Sequence, residues 1–487
     1  MDLLLTEAPF VSLVQVVPDT EKSTATVHAW LQGVPVGTTP VTVEILEVRS
    51  GKLIGETTVR AQAGEEGSAH VAATVVMPGG HFWTPEDPFL YIARVRTSKD
   101  CCETRFGLRT FHFDAKTGRA MLNGKPYFMR GTNYGLQRFF GDSECGRLPW
   151  NKDWVRALHR QAKAMNWNSY RNLCGLMPGF WYDIADEEGF LIEDEYPLWT
   201  LNMPAAISAE ELAVDYRGMM EAHWNHPSVV VWDACNETGY PETHIALNRV
   251  RNLDVSNRPW SDGWNEPSVA TDPVEKHPYH FDNPKYRLSQ LETAGSLLGK
   301  KPSSAVVVNE YGYLWLCRDG SVARLTRALY SNLLGKDSTV AQRRHIYAVY
   351  MAAETEFWRH TRKQAAVMHS CSLAYSRPNG DTSDHFLPGG VADLKLEPEF
   401  EKYMCDAFAP VSVTIKYWKP SLTAGTQTSF AVSLINDLEK PWSGPVVVRL
   451  SRNGKVVWES TKQVALATQG TATVTSDLLT VPGEPGP

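Results

Sequence analysis

The sequence predicts a multidomain fold, a central (β/α)8 TIM barrel flanked by immunoglobulin-like β-sandwich domains, and three observations carry that expectation. Both ends of the 487-residue chain alternate apolar and polar residues with period two, as half-buried strands do. The middle of about 300 residues instead alternates short unbroken apolar runs with longer helical patterns, the texture of a sheet buried on both faces. The length suits about three domains, and the expected division is 1–113, 114–410 and 411–487.

In residues 1–113 the alternation is clear in Ala25-Thr26-Val27-His28-Ala29-Trp30, in Val41-Thr42-Val43-Glu44-Ile45 and in His70-Val71-Ala72-Ala73-Thr74-Val75-Val76. Ser50-Gly51 and Pro78-Gly79-Gly80 punctuate these runs at the spacing of a seven-strand sandwich, with a small β-barrel as the competing arrangement. From 114 to 410, candidate strands such as Tyr127–Arg130, Phe190–Ile192, Val229–Trp232 and Ala305–Val308 are separated by helical stretches such as Trp154–Ala162. A doubly wound sheet would share this texture, but no Gly-rich phosphate loop follows the first strand. After Ala409-Pro410 the period-two pattern returns in Val411–Ile415, Phe430–Leu434 and Val446–Leu450, a second sandwich of about 77 residues ending in a Pro/Gly-rich tail.

Composition narrows the partners. Net charge is −7 with no basic block, so a nucleic acid has no electrostatic footprint to meet. No apolar stretch reaches the 18 residues of a membrane helix. The opening Met1-Asp2-Leu3-Leu4-Leu5 lacks a basic leader, so no signal peptide is expected and the compartment stays open. Eight cysteines without CxxC spacing argue against both a disulfide framework and zinc. Sixteen Trp among many Tyr and Phe suit either core packing or the stacking of flat rings on the apolar faces of sugars. A carbohydrate substrate is the expected partner, without cofactor, metal, nucleic acid or membrane; a homo-oligomer is compatible.

Two acidic residues follow apolar runs in the barrel segment: Glu237, closing Val229-Val230-Val231-Trp232-Asp233-Ala234-Cys235-Asn236-Glu237, and Glu310, closing Val306-Val307-Val308-Asn309-Glu310. Strand C-termini face the active site of a barrel, so both carboxylates are expected in one pocket. Glycoside hydrolysis needs such a pair. The run Asn225-His226-Pro227-Ser228 before the first of these strands resembles the acid/base motif of glycoside hydrolase family 2, and Glu310-Tyr311-Gly312 resembles that family's nucleophile strand. Further matches lie in order along residues 8 to 450: Phe82-Trp83-Thr84-Pro85, Leu122-Asn123-Gly124-Lys125-Pro126, Met129-Arg130-Gly131-Thr132-Asn133, Asn168-Ser169-Tyr170-Arg171 and Glu193-Asp194-Glu195.

The resemblance implies a retaining exo-β-glycosidase with Glu237 as acid/base and Glu310 as nucleophile. It further implies that Asn236 bonds the sugar 2-hydroxyl, that Tyr279 touches the nucleophile and that Arg171 steadies it. Asn133, Trp264 and Trp199 are the remaining candidates for sugar contact. His277 and His280 form a poor metal pair across Pro278. An endo-glycanase on the same barrel and a non-catalytic carbohydrate-binding relative are the alternatives. Cys174 stands where the family's β-galactosidases usually carry His, Asp233-Ala234-Cys235 replaces Ser-Leu-Gly, and the last strand, near Val367–Ser372, lacks the family's frequent Trp. Residues 389–410 look more like the β-mannosidase and exo-glucosaminidase branch, and the family's N-terminal jelly-roll module is not expected in a chain that opens on the sandwich.

Overall fold

The computed structural model describes residues 5–199, 207–291, 304–373 and 382–484; the expectations placed on the first four residues and on Pro485–Pro487 lie outside these. Eight parallel strands form the barrel sheet: β1 (Met129–Tyr134), β2 (Ser169–Asn172), β3 (Leu191–Glu195), β4 (Val229–Asp233), β5 (Trp260–Ser261), β6 (Val274–Lys276), β7 (Val306–Val308) and β8 (Ala366–Leu373). Neighbours pair in the order β5-β4-β3-β2-β1-β8-β7-β6. The remaining seam, between β5 and β6, is closed by side chains: the Trp260 amide donates to Asp272 Oδ1 (3.0 Å) and the Ser261 hydroxyl to Glu275 Oε2 (3.0 Å). Every residue of β2, β3, β4 and β8 is buried, as in a parallel sheet covered on both faces, although β2 and the end of β3 are polar.

Helices pack outside the strands. The one over Lys152–Ala164 is capped by Asn151, whose side-chain oxygen accepts from the amides of Asp153 and Trp154; the one over Ala209–His223 begins with a Ser208–Glu211 capping box. The helix over Gly179–Glu188 ends on Gly189 at φ +77°, where a Cβ would lie 2.3 Å from the Pro85 carbonyl oxygen; the turn and the close approach both demand glycine.

The N-terminal region contains seven strands in two antiparallel sheets, one of three strands and one of four, around an aliphatic core of Val27, Ala29, Val43, Ile45, Ala93 and Val95. A three-stranded meander (Phe111–Asp114, Arg119–Leu122, Lys125–Tyr127) packs its Phe111, Phe113 and Leu122 with Leu191, Val230 and Val307 of the barrel strands. Tyr127 therefore belongs to the meander, and the first barrel strand starts at Met129. The C-terminal sheets, led by Val411–Ile415, Ala431–Asn436 and the long hairpin Trp442–Arg452/Lys455–Leu466, form a second sandwich-like unit. No helix among the described residues is long and apolar enough to cross a membrane.

The Asn225–Ser228 run forms the joint between sandwich and barrel. Asn225 accepts from the Val16 amide (2.8 Å) and donates to the Val14 carbonyl (2.9 Å), while Pro227 O accepts from the buried Arg109 guanidinium (2.9 Å). His226 Nδ1 and the Ser228 amide both meet the Asp186 carboxylate, at 2.6 and 3.0 Å. The sandwich thus fixes the segment that leads directly into β4 and Glu237.

Candidate active site

A cavity of about 370 Å³ opens at the C-terminal ends of the strands, and both Glu237 and Glu310 line it. Glu310 follows β7. Its Oε1 accepts from Arg171 Nη1 of β2 (2.6 Å) and its Oε2 from the Tyr279 hydroxyl. Burial would raise its pKa, but the charge of His277, the charge of Arg171 and the Tyr279 hydrogen bond outweigh this and hold Glu310 below the usual carboxylate range. Glu237 follows β4 and lies against His277, Oε1 to Nδ1 3.1 Å. One oxygen of Glu237, one of Glu310 and a ring nitrogen of His277 all lie within 4.8 Å of one another.

Glu237 sits at φ +46°, and two other residues of the cavity wall, Cys174 (φ +51°) and Tyr313 (φ +67°), share this left-handed conformation. For side chains other than Gly it is costly, and such residues cluster where a wall is tightly determined by its surroundings. Asn236, beside Glu237, accepts through Oδ1 from Arg171 Nη2 (3.0 Å), which turns its amide NH2 end away from the guanidinium. Its backbone amide donates to Leu198 O (2.8 Å), so the Trp199 loop pairs with the Glu237 loop. Trp199 lines the cavity with the Arg138 guanidinium stacked 4.6 Å from its ring.

Two sequence candidates lie elsewhere. Asn133 is fully buried beneath the cavity, donating to the carbonyls of Asn309 (2.7 Å) and His369 (2.9 Å); on a strand flanked on both sides its amide serves the barrel backbone and does not reach the wall. Trp264 is half exposed and packs edge-on against the His277 ring, centroids 4.8 Å apart, outside the wall itself. His277 and His280 diverge: His280 stacks between Tyr286 and Trp358 and bonds Glu354 (3.0 Å).

Several wall residues escaped sequence reading. Tyr313 and Trp315 join Tyr279 in an aromatic cluster, with centroids 4.8–5.9 Å apart. Beneath the wall, Arg171 also meets Glu195 Oε2 and Asp233 Oδ2 (3.2 Å). Asn309 donates to Glu193 (3.0 Å) and to Glu275 (3.2 Å). Burial opposes the charge of Arg171, but its ring of carboxylates keeps it firmly protonated. Burial pushes Glu193, Glu195, Asp233 and Glu275 above the usual carboxylate range, and repulsion from neighbouring acids adds to this for Glu193, Glu195 and Glu275. Period two places Glu193 with Glu195, and Glu275 with His277, on one side of their strands; that spacing was the available signal.

Three groups among the described residues have ligand atoms close enough for a cation: Glu237/His277/Glu310, Glu193/Asp233/Glu275 and Asp183/Asp186/His226. Each is already met by donors of the chain: Arg171 and Tyr279 in the first, Arg171 and Asn309 in the second, Arg105 and the Ser228 amide in the third.

Comparison with known proteins agrees with this layout. The model for the TIM barrel domain of glycosyl hydrolases family 2 matches residues 113–333, and a second model, glycosyl hydrolases family 2, matches residues 10–109. A β-galactosidase of Oenococcus oeni is 27% identical over 211 residues, which is 39% of this chain and 19% of that protein. A putative β-glucuronidase of Formosa agariphila is 30% identical over 166 residues, 32% of this chain and 16% of that protein. The matched part spans about a fifth of the length of these curated relatives. Among solved structures, a β-D-mannosidase from Dictyoglomus thermophilum superposes with TM-score 0.69 at 16% identity, covering 97% of this chain and 62% of that one. The exo-chitosanase CsxA of Amycolatopsis orientalis gives TM-score 0.67 at 15% identity, covering 96% and 59%. At such identities the superpositions speak for the fold, while the two family models, consecutive along the chain and together well over half of it, decide the kinship: the chain belongs to glycoside hydrolase family 2.

Proposed function

We propose that the protein is a retaining exo-β-glycosidase, with Glu310 as nucleophile and Glu237 as acid/base. The observation that carries this reading is the approach of the two carboxylates on one wall, nearest oxygens within 4.8 Å. Retaining enzymes separate their carboxyl groups by about 5–5.5 Å, and inverting ones by about 6.5–9.5 Å to admit a water between them. Glu310, paired with Arg171 and held ionised, attacks the anomeric carbon while Glu237 gives its proton to the departing glycosidic oxygen. Glu237 then takes a proton from water, the water oxygen attacks the same carbon, and the Glu310 carboxylate leaves. Asn236, anchored through its oxygen on Arg171, offers its NH2 to the neighbouring sugar hydroxyl, a contact that strengthens as charge develops at the ring. Tyr279 bonds the nucleophile, and Tyr279, Tyr313, Trp315 and Trp199 supply flat faces for the sugar.

A cavity of about 370 Å³ lies near the lower end of small-molecule sites, which supports cleavage of a terminal sugar over binding of a long chain. The names of the relatives make β-linked galactosides, glucuronides, mannosides and glucosaminides the first candidates to try. A panel of 4-nitrophenyl β-glycosides of these sugars, followed by proton NMR of the first-formed product, tests the reading. The expected product is the β-anomer of a single sugar. An α-anomer points to inversion, a ladder of oligosaccharides from polymeric substrate points to endo action, and binding without turnover makes this a carbohydrate-binding relative.

A further inference from the structure

His277 has no place in the two-carboxylate scheme, yet its surroundings are specific. Its side chain is 2% exposed and lies between the two catalytic candidates above and a buried acid below. Nδ1 is 3.1 Å from Glu237 Oε1 and 3.7 Å from Glu310 Oε2. On the other edge of the ring, Nε2 is 3.7 Å from Glu275 Oε1, an ion-pair distance beyond hydrogen-bond reach, and neither of these two buried atoms has a hydrogen-bond partner. Trp264 covers the ring from outside.

We propose that His277 is a positioning residue: an imidazolium braced by Glu275, it donates Nδ1–H to Glu237 Oε1 and so confines the acid proton of Glu237 to Oε2. This rests on the acid/base reading of Glu237. A protonated carboxyl can carry its hydrogen on either oxygen, and only one of the two can meet the glycosidic oxygen. A donor already pointing at Oε1 excludes a second hydrogen there. A neutral ring with Nδ1 bare would do the opposite, accepting the proton of Glu237 and holding it away from the leaving group. Acceptors face both edges of the ring, which favours hydrogens on both nitrogens. Burial works against that charge, but Glu310, the bond to Glu237 and Glu275 outweigh it, so the His277 pKa is raised. The same charge is the largest of those lowering the pKa of Glu310. Arg171, on another strand, opposes the charge of His277.

The test is a series of aryl β-glycosides of whichever sugar the protein turns over, from 2,4-dinitrophenyl to phenyl, assayed with wild type, His277→Gln and Glu275→Gln. Leaving groups of high pKa need the proton and activated ones do not. For His277→Gln, kcat/KM is expected to fall ~10²-fold further with phenyl than with 2,4-dinitrophenyl leaving groups, within the range of general acid contributions. Glu275→Gln, which keeps the ring but removes its brace, is expected to show the same trend more weakly. Equal losses along the series, or none, in both variants overturn the proposal and leave His277 as packing. Glu237→Ala in parallel separates the two claims: if its own losses do not grow with leaving-group pKa, the acid/base reading fails, whereas a steep Glu237→Ala beside a flat His277→Gln refutes His277 alone. Nitrogen NMR of 15N-histidine protein gives a readout independent of turnover, with both ring nitrogens of His277 protonated at pH 7; a neutral ring contradicts the assignment.

Discussion

In the N-terminal sandwich the fully buried positions include Val27, Ala29, Val43, Ile45, Ala93 and Val95; in the barrel interior the equally buried positions include Arg171, Glu193, Glu195, Asp233, Glu275 and Asn309. The sandwich core is stabilised by removing aliphatic surface from water, at about 0.8 kcal/mol per methylene, and it makes no demand on direction. The barrel interior holds one guanidinium among several acids, and each group depends on the placement of the others. Even the buried Arg109 of the sandwich turns outward to the barrel, bonding Pro227 O. One region is built for stability, the other for the charge and direction of Glu310.

The sharpest way to break this contrast is Arg171→Met. It leaves Glu195 and Asp233 without their cation and Glu310 without one of its two, and removing one partner of a buried pair costs about 3–5 kcal/mol. Chemical denaturation should show that loss, together with loss of turnover in whatever fraction still folds. An unchanged stability would mean that the acids below the wall do not depend on Arg171.

A smaller effect is the pH dependence. Glu193, Glu195, Asp233 and Glu275 titrate higher in the folded chain than unfolded, so the native state binds more protons above about pH 4. Stability should therefore fall as pH rises from about 4 through the raised values, by up to about 1.4 kcal/mol per pH unit for each group in transition. Asp233→Asn, which removes one of these acids, should flatten that fall above about pH 4. A slope that is unchanged in the variant would place Asp233 outside this group of raised acids. At the small end, Ile45→Val in the sandwich should cost about 0.5–1.5 kcal/mol and leave kcat/KM untouched, because no buried charge depends on it.

The same contrast explains what could be read from the sequence. Alternation in Val41–Ile45 announces a strand and its buried face together, since only hydrophobicity and period are involved. Glu237 and Glu310 were legible because each closes an apolar strand, and strand ends converge in a barrel. Arg171 was legible as the partner of Glu310 only through a family motif. Its other partners, Glu195 and Asp233, come from two further strands, and no local spacing links them. The placement of Asn133 beneath the cavity wall was not legible, because period two cannot tell a side chain at the mouth of a barrel from one a layer beneath it. Asn225–Ser228 carries a second task invisible in sequence, since its partners Val14, Val16 and Arg109 lie more than a hundred residues earlier.

The central claim is that Glu310 forms a covalent bond to the sugar. Incubation with the 2-deoxy-2-fluoro β-glycoside of the sugar that is turned over, carrying a 2,4-dinitrophenyl leaving group, tests it most directly. Intact mass spectrometry should show the addition of one fluorosugar with a matching burst of dinitrophenol, and peptide mapping should place it on Glu310. A label on Glu237, or release of the α-anomer with no adduct on either residue, would contradict the account.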